Sequence, residues 1–411
     1  MVKAGALYLS IVTAFIIAVI CASLIMIAAH FRGNYLKDVR MARLYRNMDS
    51  AIVLALANDD GNSKDKSYLD LFGAQTDSVR IEKEHWGIFT LSSIHCFQFK
   101  DTLSRSFLLG SDHNQDTSAV YLSDEDRPVS VSGNTRIVGD VEAPKSGIRS
   151  AYAEGKPYKG NKIVFGAVRN SKRILPELDK KWVEEIKSQL HTDPKLYPEL
   201  AAGNHHISFF LPVKKYSIMD VNLQADSLAG HLILYSDTLV HIDKHIKLDN
   251  VVIFARSIII DDGFNGNAQL FARDSIVVGN DVKFSYPSVL GVMAGEITVQ
   301  PKIRLGKKVQ FDGIILTHEP KRSALQTMIV LGEGTVVKGE IYATGLLKVD
   351  KHINVFGKVS CNRFIMQTSS TMYENFLIDV TFNRKARSGA YLSSGIFGGN
   401  KSINRVLRWQ D

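Results

Sequence analysis

The sequence predicts a mainly β protein: an N-terminal transmembrane α-helix with an amphipathic extension, followed by a β-solenoid body with a small α-containing insertion. Three observations predict it. Residues 4–29 form a run of 26 positions without a formal charge. In the second half, Ile253-Phe254-Ala255-Arg256 returns 17 residues later as Leu270-Phe271-Ala272-Arg273. Beyond the N-terminal region, only residues 175–190 carry a clear helical stripe.

The apolar run comes first. At 1.5 Å per residue, about 20 apolar residues cross the hydrocarbon of a bilayer. A signal peptide has an apolar stretch of roughly 7–15 residues. The run therefore reads as a retained single-pass anchor within residues 1–33. Residues 35–57 contain no Pro, and Met41, Leu44, Tyr45, Met48, Ile52 and Leu56 recur at helical spacing. Lys37, Arg40, Arg43 and Arg46 fall every third residue on another side. Asn58-Asp59-Asp60-Gly61-Asn62 supplies stop and turn chemistry. The spacing predicts one long helix, its amphipathic part spanning residues 34–60. This layout resembles the N-terminal helix of type IV pilins and of the minor pseudopilins of type II secretion. Lys3-Ala4-Gly5-Ala6 looks like a short basic leader ending before a prepilin cleavage point. Ser10 stands where that family usually carries Glu. The resemblance implies an inner-membrane, single-pass protein whose body is extracytoplasmic and whose 35–57 helix packs against neighbours. Positive-inside counting points the other way, since five basic residues follow the anchor directly.

Composition bounds the remainder. With 411 residues, 45% hydrophobic and 22% charged, the chain can bury a sizeable core and is too long for one small domain. Three cysteines exclude a disulfide-rich scaffold and a Cys₄ metal site. Cys21 lies in the anchor, leaving Cys96 and Cys361 as a conceivable pair. The net charge of +8 is confined to two stretches. Residues 32–46 hold five basic residues against one Asp, and residues 380–411 hold six against Asp411. No basic stripe interleaved with aromatics appears, so nucleic acid is not an expected partner.

Residues 59–67 read as a polar linker, and 61–128 as an α+β or hairpin region whose alternating runs at 78–99 turn at Trp86-Gly87. Residues 129–141 read as strand, Gly-Asn turn, strand, and 144–166 as loops. Over 175–190, Pro176 suits a first helical turn, and Leu178, Trp182, Ile186 and Leu190 fall every fourth residue. Residues 129–215 are expected to hold a first coil, near residue 135, followed by this insertion. From 216 to 383, runs of Val, Ile and Leu alternate with Gly, Asn and Asp at turns. Ile233-Leu234-Tyr235-Ser236 lies 20 residues before the first repeat copy. Coils of roughly 17–26 residues stacked into a solenoid satisfy this pattern. A β-sandwich satisfies the short, regularly spaced strands as well. Parallel strands with helical crossovers do not. Gly334-Thr335-Val336-Val337-Lys338-Gly339-Glu340-Ile341-Tyr342-Ala343, residues 353–359 and residues 133–141 resemble the hydrophobic–Gly–hydrophobic phrases of the bactofilin family. That resemblance implies a right-handed β-helix. Residues 384–411 are expected to cap the last coil or to dock a partner.

No P-loop, G-x-S-x-G, H-E-x-x-H or dinucleotide fingerprint occurs. His205 and His206 are adjacent, so a strand points them to opposite faces. His241 and His245 are four apart, hence on one face of a continuous strand, but zinc wants three or four donors. Asp261, Asp262 and Asp281, at equivalent turns, suit turn formation, with a carboxylate pair on a carbohydrate-cleaving helix as the sharper alternative. Asp124-Glu125-Asp126-Arg127-Pro128 reads as a charged loop, and Trp86, Trp182 and Trp409 as packing residues. No catalytic, cofactor-binding or metal-ligating residue is assigned, and no cofactor is expected. The expected role is a non-enzymatic membrane-anchored scaffold or assembly component. The alternatives are a tethered β-helix acting on polysaccharide and a bactofilin-like cytoskeletal protein on the cytoplasmic face. Expected partners are membrane lipid and other envelope proteins, through the 35–57 helix and the solenoid, with self-association left open.

Overall fold

A computed structural model describes residues 4–57, 68–73, 77–113, 115–295, 299–368, 371–398 and 403–410. The expected leader at residue 3, the stop signal at 58–62 and the linker at 59–67 lie outside the described residues. The chain divides into two compact units, residues 1–83 with 92–105, and residues 84–91 with 106–411. It is mainly β, with 48% of residues in strands and 19% helical.

The first unit is built on α1, Ala4–Ala57, whose 54 residues span about 81 Å. Gly33 does not interrupt it, and nothing lies within 4 Å of where a Cβ would stand. The helix is long and apolar enough to cross a membrane. Leu7, Ile11, Phe15, Leu24, Met26 and Phe31 are all more than 60% exposed or nearly so, because no protein surface covers them. Further along, Leu44, Asn47, Met48, Ala51 and Ala55 are buried at helical spacing. This stripe differs from the expected one. Tyr45 faces outward, and the two alanines take inner positions, where small side chains allow close approach. Arg40 donates to Asp101 at 2.7 Å and Asn47 to Asp77 at 2.8 Å. Burial, with Asp77 nearby, pushes the Cys96 thiol up to about 11. Cys96 and Cys361 are both free and buried.

In the second unit, strands pair in parallel along three ladders. One passes through 214–217, 232–235, 251–255, 268–272, 289–292, 314–317, 340–343 and 359–361. A second passes through 239–242, 257–260, 275–278, 302–305, 328–331, 346–348 and 363–365. A third includes 283–284, 310–311, 336–338, 354–355 and 380–382. Alternate residues of each strand point inward. Phe264, Phe284 and Phe311 form one inner row, with ring centroids 5.4 and 5.5 Å apart.

The repeat read from the sequence is a register. Ile253, Phe254 and Ala255 pair with Leu270, Phe271 and Ala272. The upstream copy is offset by 19 residues, not 20, since Leu234 pairs with Ile253 and Tyr235 with Phe254. One residue of slip would have turned every side chain to the other face. The observed register stacks Tyr235 on Phe254 at 5.6 Å and Phe254 on Phe271 at 5.2 Å.

Spatial order departs from sequence order. Val120 pairs with Val359, Val141 with Val120, and Val168 with Val141. Likewise Arg136 pairs with Thr381 and Ile137 with Val164. The strands near residue 135 therefore extend the ladders beyond the last C-terminal strand, not before residue 216. The stretch after them returns the chain to the ladders' other end. Within it lies α2, Lys180–Leu190, capped by Asp179, whose carboxylate accepts from the Lys181 N–H at 2.9 Å. The helix starts five residues later than the periodicity suggests. Pro176 precedes it, and its carbonyl accepts from the Tyr342 hydroxyl at 2.9 Å. Leu175 and Leu178 are buried in that extended lead, while Val183, Ile186 and Leu190 carry the helical contact. All five pack with Tyr235, Phe254, Phe271 and Ile396 in one apolar cluster.

Candidate functional site

The residues singled out for chemistry are held apart by the ladders. His205 and His206 sit on strand Asn204–Ile207 and bond in different directions, to the Ala201 carbonyl and the Ser227 hydroxyl. His241, on strand Leu239–Ile242, bonds to Asn222 and Asp261 at 2.8 and 2.7 Å. His245 lies beyond that strand in a turn, so the two do not share a face of a continuous strand. Asp262 is matched across strands by Asn280, not Asp281. The Asn280 backbone and side chain both donate to the Asp262 carboxylate, holding its pKa below the usual range. Asp281 has φ of +53°, the left-handed turn geometry that Asp tolerates. Among the described residues no group of three His, Cys, Asp or Glu is placed to hold a metal.

The loop at 124–128 joins distant segments by charge. Glu125 pairs with Arg322 and Arg363, Asp126 with Arg173, and Arg127 with Glu374. The tryptophans pack. Trp86 meets Phe209 and His231 at 5.3 and 5.1 Å, Trp182 meets His85 at 4.2 Å, and Trp409 meets Phe107 at 5.2 Å. Trp409 belongs to strand Ile403–Gln410, which pairs antiparallel with 106–112.

The second ladder's outer face forms a groove of about 550 Å³. On strand Lys302–Leu305, Ile303 and Leu305 turn inward and Lys302 and Arg304 outward. The next strands add Met328 and Val330, then Leu346 and Lys348, then Arg363. Strand Met372–Glu374 pairs antiparallel with 365–367 along the far side. Arg363 is neutralised by Glu125 and Glu374, and Lys348 donates to Gln367 at 2.9 Å. Lys302 and Arg304 are exposed and have no ion pair among the described residues. Asp261 and Asp281 do not line the groove. Sequence reasoning missed this site, because Arg304 and Lys348 are 44 positions apart and only strand register brings them together.

No family model matches the chain. No curated protein matches it either.

A partly buried histidine near α2 gives a pH test. Burial lowers the pKa of His318 to about 4, and the Lys187 ammonium adds to the effect. Its Nδ1 is buried without a partner, in keeping with a neutral ring. The unfolded chain, with His near 6.5, binds more protons between about pH 6.5 and 4. Stability is therefore expected to fall across that window as pH decreases, by about 2–3 kcal/mol from this group. Melting curves of the parent and His318→Gln at pH 7 and pH 5 check it. A variant as acid-sensitive as the parent would refute the assignment.

Proposed function

We propose that the chain is a single-pass, membrane-anchored scaffold component, non-enzymatic, whose helix α1 holds a β-solenoid body. The observation that carries this reading is the division of labour along α1. Its first half presents uncharged, exposed apolar side chains, and Leu44, Asn47, Met48, Ala51 and Ala55 of the same helix are buried. A surface of that kind needs lipid or another apolar cover. Successive strands on each ladder are 17–27 residues apart and no helix separates them among the described residues, which supports a solenoid over a sandwich. The weighed carboxylates and histidines are engaged in turns and ion pairs, which supports a rigid presenting surface. In its most specific form the reading is a minor pseudopilin-like component of a pilus or type II-like export apparatus in the inner membrane. There the body is extracytoplasmic, and the partners are lipid, envelope proteins and further copies of the chain.

The test is fractionation of cells expressing the full chain with a C-terminal tag. The tag should stay in the membrane pellet after alkaline carbonate and should be released when residues 1–33 are deleted. Protease added after permeabilising the outer envelope should then digest the body. Release of the full chain by carbonate would overturn the anchor. Protection of the body until the inner membrane is lysed would move it to the cytoplasmic face and favour the bactofilin-like role.

A further inference from the structure

We propose that the groove on the second ladder binds an anionic polysaccharide segment. The inference concerns the body alone and does not rest on the membrane reading. Three cationic groups carry it. Lys302 and Arg304 project from one strand two residues apart, about 7 Å along the strand. Lys348 lies two strands away, about 10 Å across, because Arg304 pairs with Val330 and Val330 with Lys348. Among the described residues neither Lys302 nor Arg304 is satisfied by a carboxylate, and Lys348 donates to the neutral amide of Gln367. A surface that holds three such charges apart fits a ligand whose own charges are spaced along a chain.

The neighbouring groups decide what kind of chain. Strands 302–305 and 328–331 are paired on both sides, so their own backbone edges are closed to an added peptide strand. Recognition on these strands comes from side chains. Gln300, Gln326 and Gln367 line the groove with the cations. Each primary amide offers two donors and an acceptor. Gln300 spends one donor on the Gln326 carbonyl at 3.0 Å, and Gln367 accepts from Lys348, so capacity is left over. Amides suit hydroxyls and the cations suit carboxylates or sulfates. Aliphatic Met328, Val330 and Leu346 between them suit the C–H faces of a sugar ring. A polymer bearing both hydroxyls and anions satisfies all three.

The test is calorimetric titration of the full chain in lipid nanodiscs with oligogalacturonate, with dextran and poly-glutamate as comparators. Oligogalacturonate should bind, weaken as salt rises, and weaken about 10-fold in Lys302→Gln/Arg304→Gln/Lys348→Gln, since exposed charge pairs are individually modest. Dextran should not bind. Lys302→Arg/Arg304→Lys/Lys348→Arg should bind within about threefold of the parent, which separates lost charge from lost fold. The proposal is overturned by absence of oligogalacturonate binding, by equal binding to the triple glutamine variant, or by poly-glutamate binding as tightly, which would assign the groove to acidic peptides.

Discussion

Gly339→Ala is expected to prevent the second unit from folding. Gly313, Gly339 and Gly357 oppose one another in register on three consecutive strands. A Cβ on Gly339 would stand 1.9 Å from the Gly313 carbonyl oxygen, and one on Gly357 would stand 1.7 Å from that of Gly339. These obstacles are backbone atoms, so no rotamer change relieves them. Gly339 also has φ of +145°, a conformation that a side chain opposes. Relief requires prising apart strands that pair at about 4.8 Å, breaking several ladder hydrogen bonds worth about 1 kcal/mol each. We expect a loss of more than about 4 kcal/mol, read as insoluble protein or as loss of the cooperative melt. Gly334→Ala is the control. Its φ of +75° is unfavourable too, but the nearest atom is the flexible Lys308 Cγ at 3.4 Å, so about 1–2 kcal/mol is expected. Gly339→Ala melting within 2 °C of the parent would show that the column yields where it looks rigid.

These glycines also mark how far the sequence can be read. The phrase Val337-Lys338-Gly339-Glu340-Ile341 is legible because close backbone approach leaves room for no other residue at its centre. The 17-residue repeat is legible for a related reason, since Phe254 stacks on Phe271 and like residues recur where like rungs stack. What the repeat could not convey is order in space. Strands at 118–143 pair with strands at 359–383, some 240 residues away, and no local pattern encodes that return. The start of α2 was misplaced because Leu175 and Leu178 are apolar for packing in an extended segment, which imitates a helical stripe. The groove was invisible for the opposite reason. Lys302, Arg304 and Lys348 look like ordinary solvated charges until register brings them to one face, whereas the carboxylates that looked chemical are spent on turns and ion pairs.

A second large effect is expected beside the glycine column, at Glu340. Its side chain is 9% exposed and faces Arg387, 2% exposed, at 3.0 Å. Ser393 donates to the other carboxylate oxygen, and the Arg387 guanidinium lies 4.4 Å from the centre of the buried Tyr391 ring. Leu392 is tied in as well, its N–H and carbonyl both bonded to the Tyr286 hydroxyl at 3.1 and 2.8 Å. This network holds residues 387–393 against the ladders, in the stretch where capping was expected. Glu340→Gln leaves Arg387 buried without a counter-charge, beside Arg384, whose own pKa burial and Arg387 already lower. Removing one member of a buried pair costs about 3–5 kcal/mol. At about 2–4 °C per kcal/mol for a unit of this size, the melting temperature should fall by roughly 6–20 °C. Limited proteolysis should begin near Arg384 and Arg387. Glu340→Met/Arg387→Met removes both charges and keeps the volume, so it should recover most of the loss. If the double variant is as unstable as Glu340→Gln, the tail is held by the shape of Tyr391 and Ile396 and not by the ion pair. If Glu340→Gln melts like the parent, water reaches Arg387 and the pair is not buried in solution.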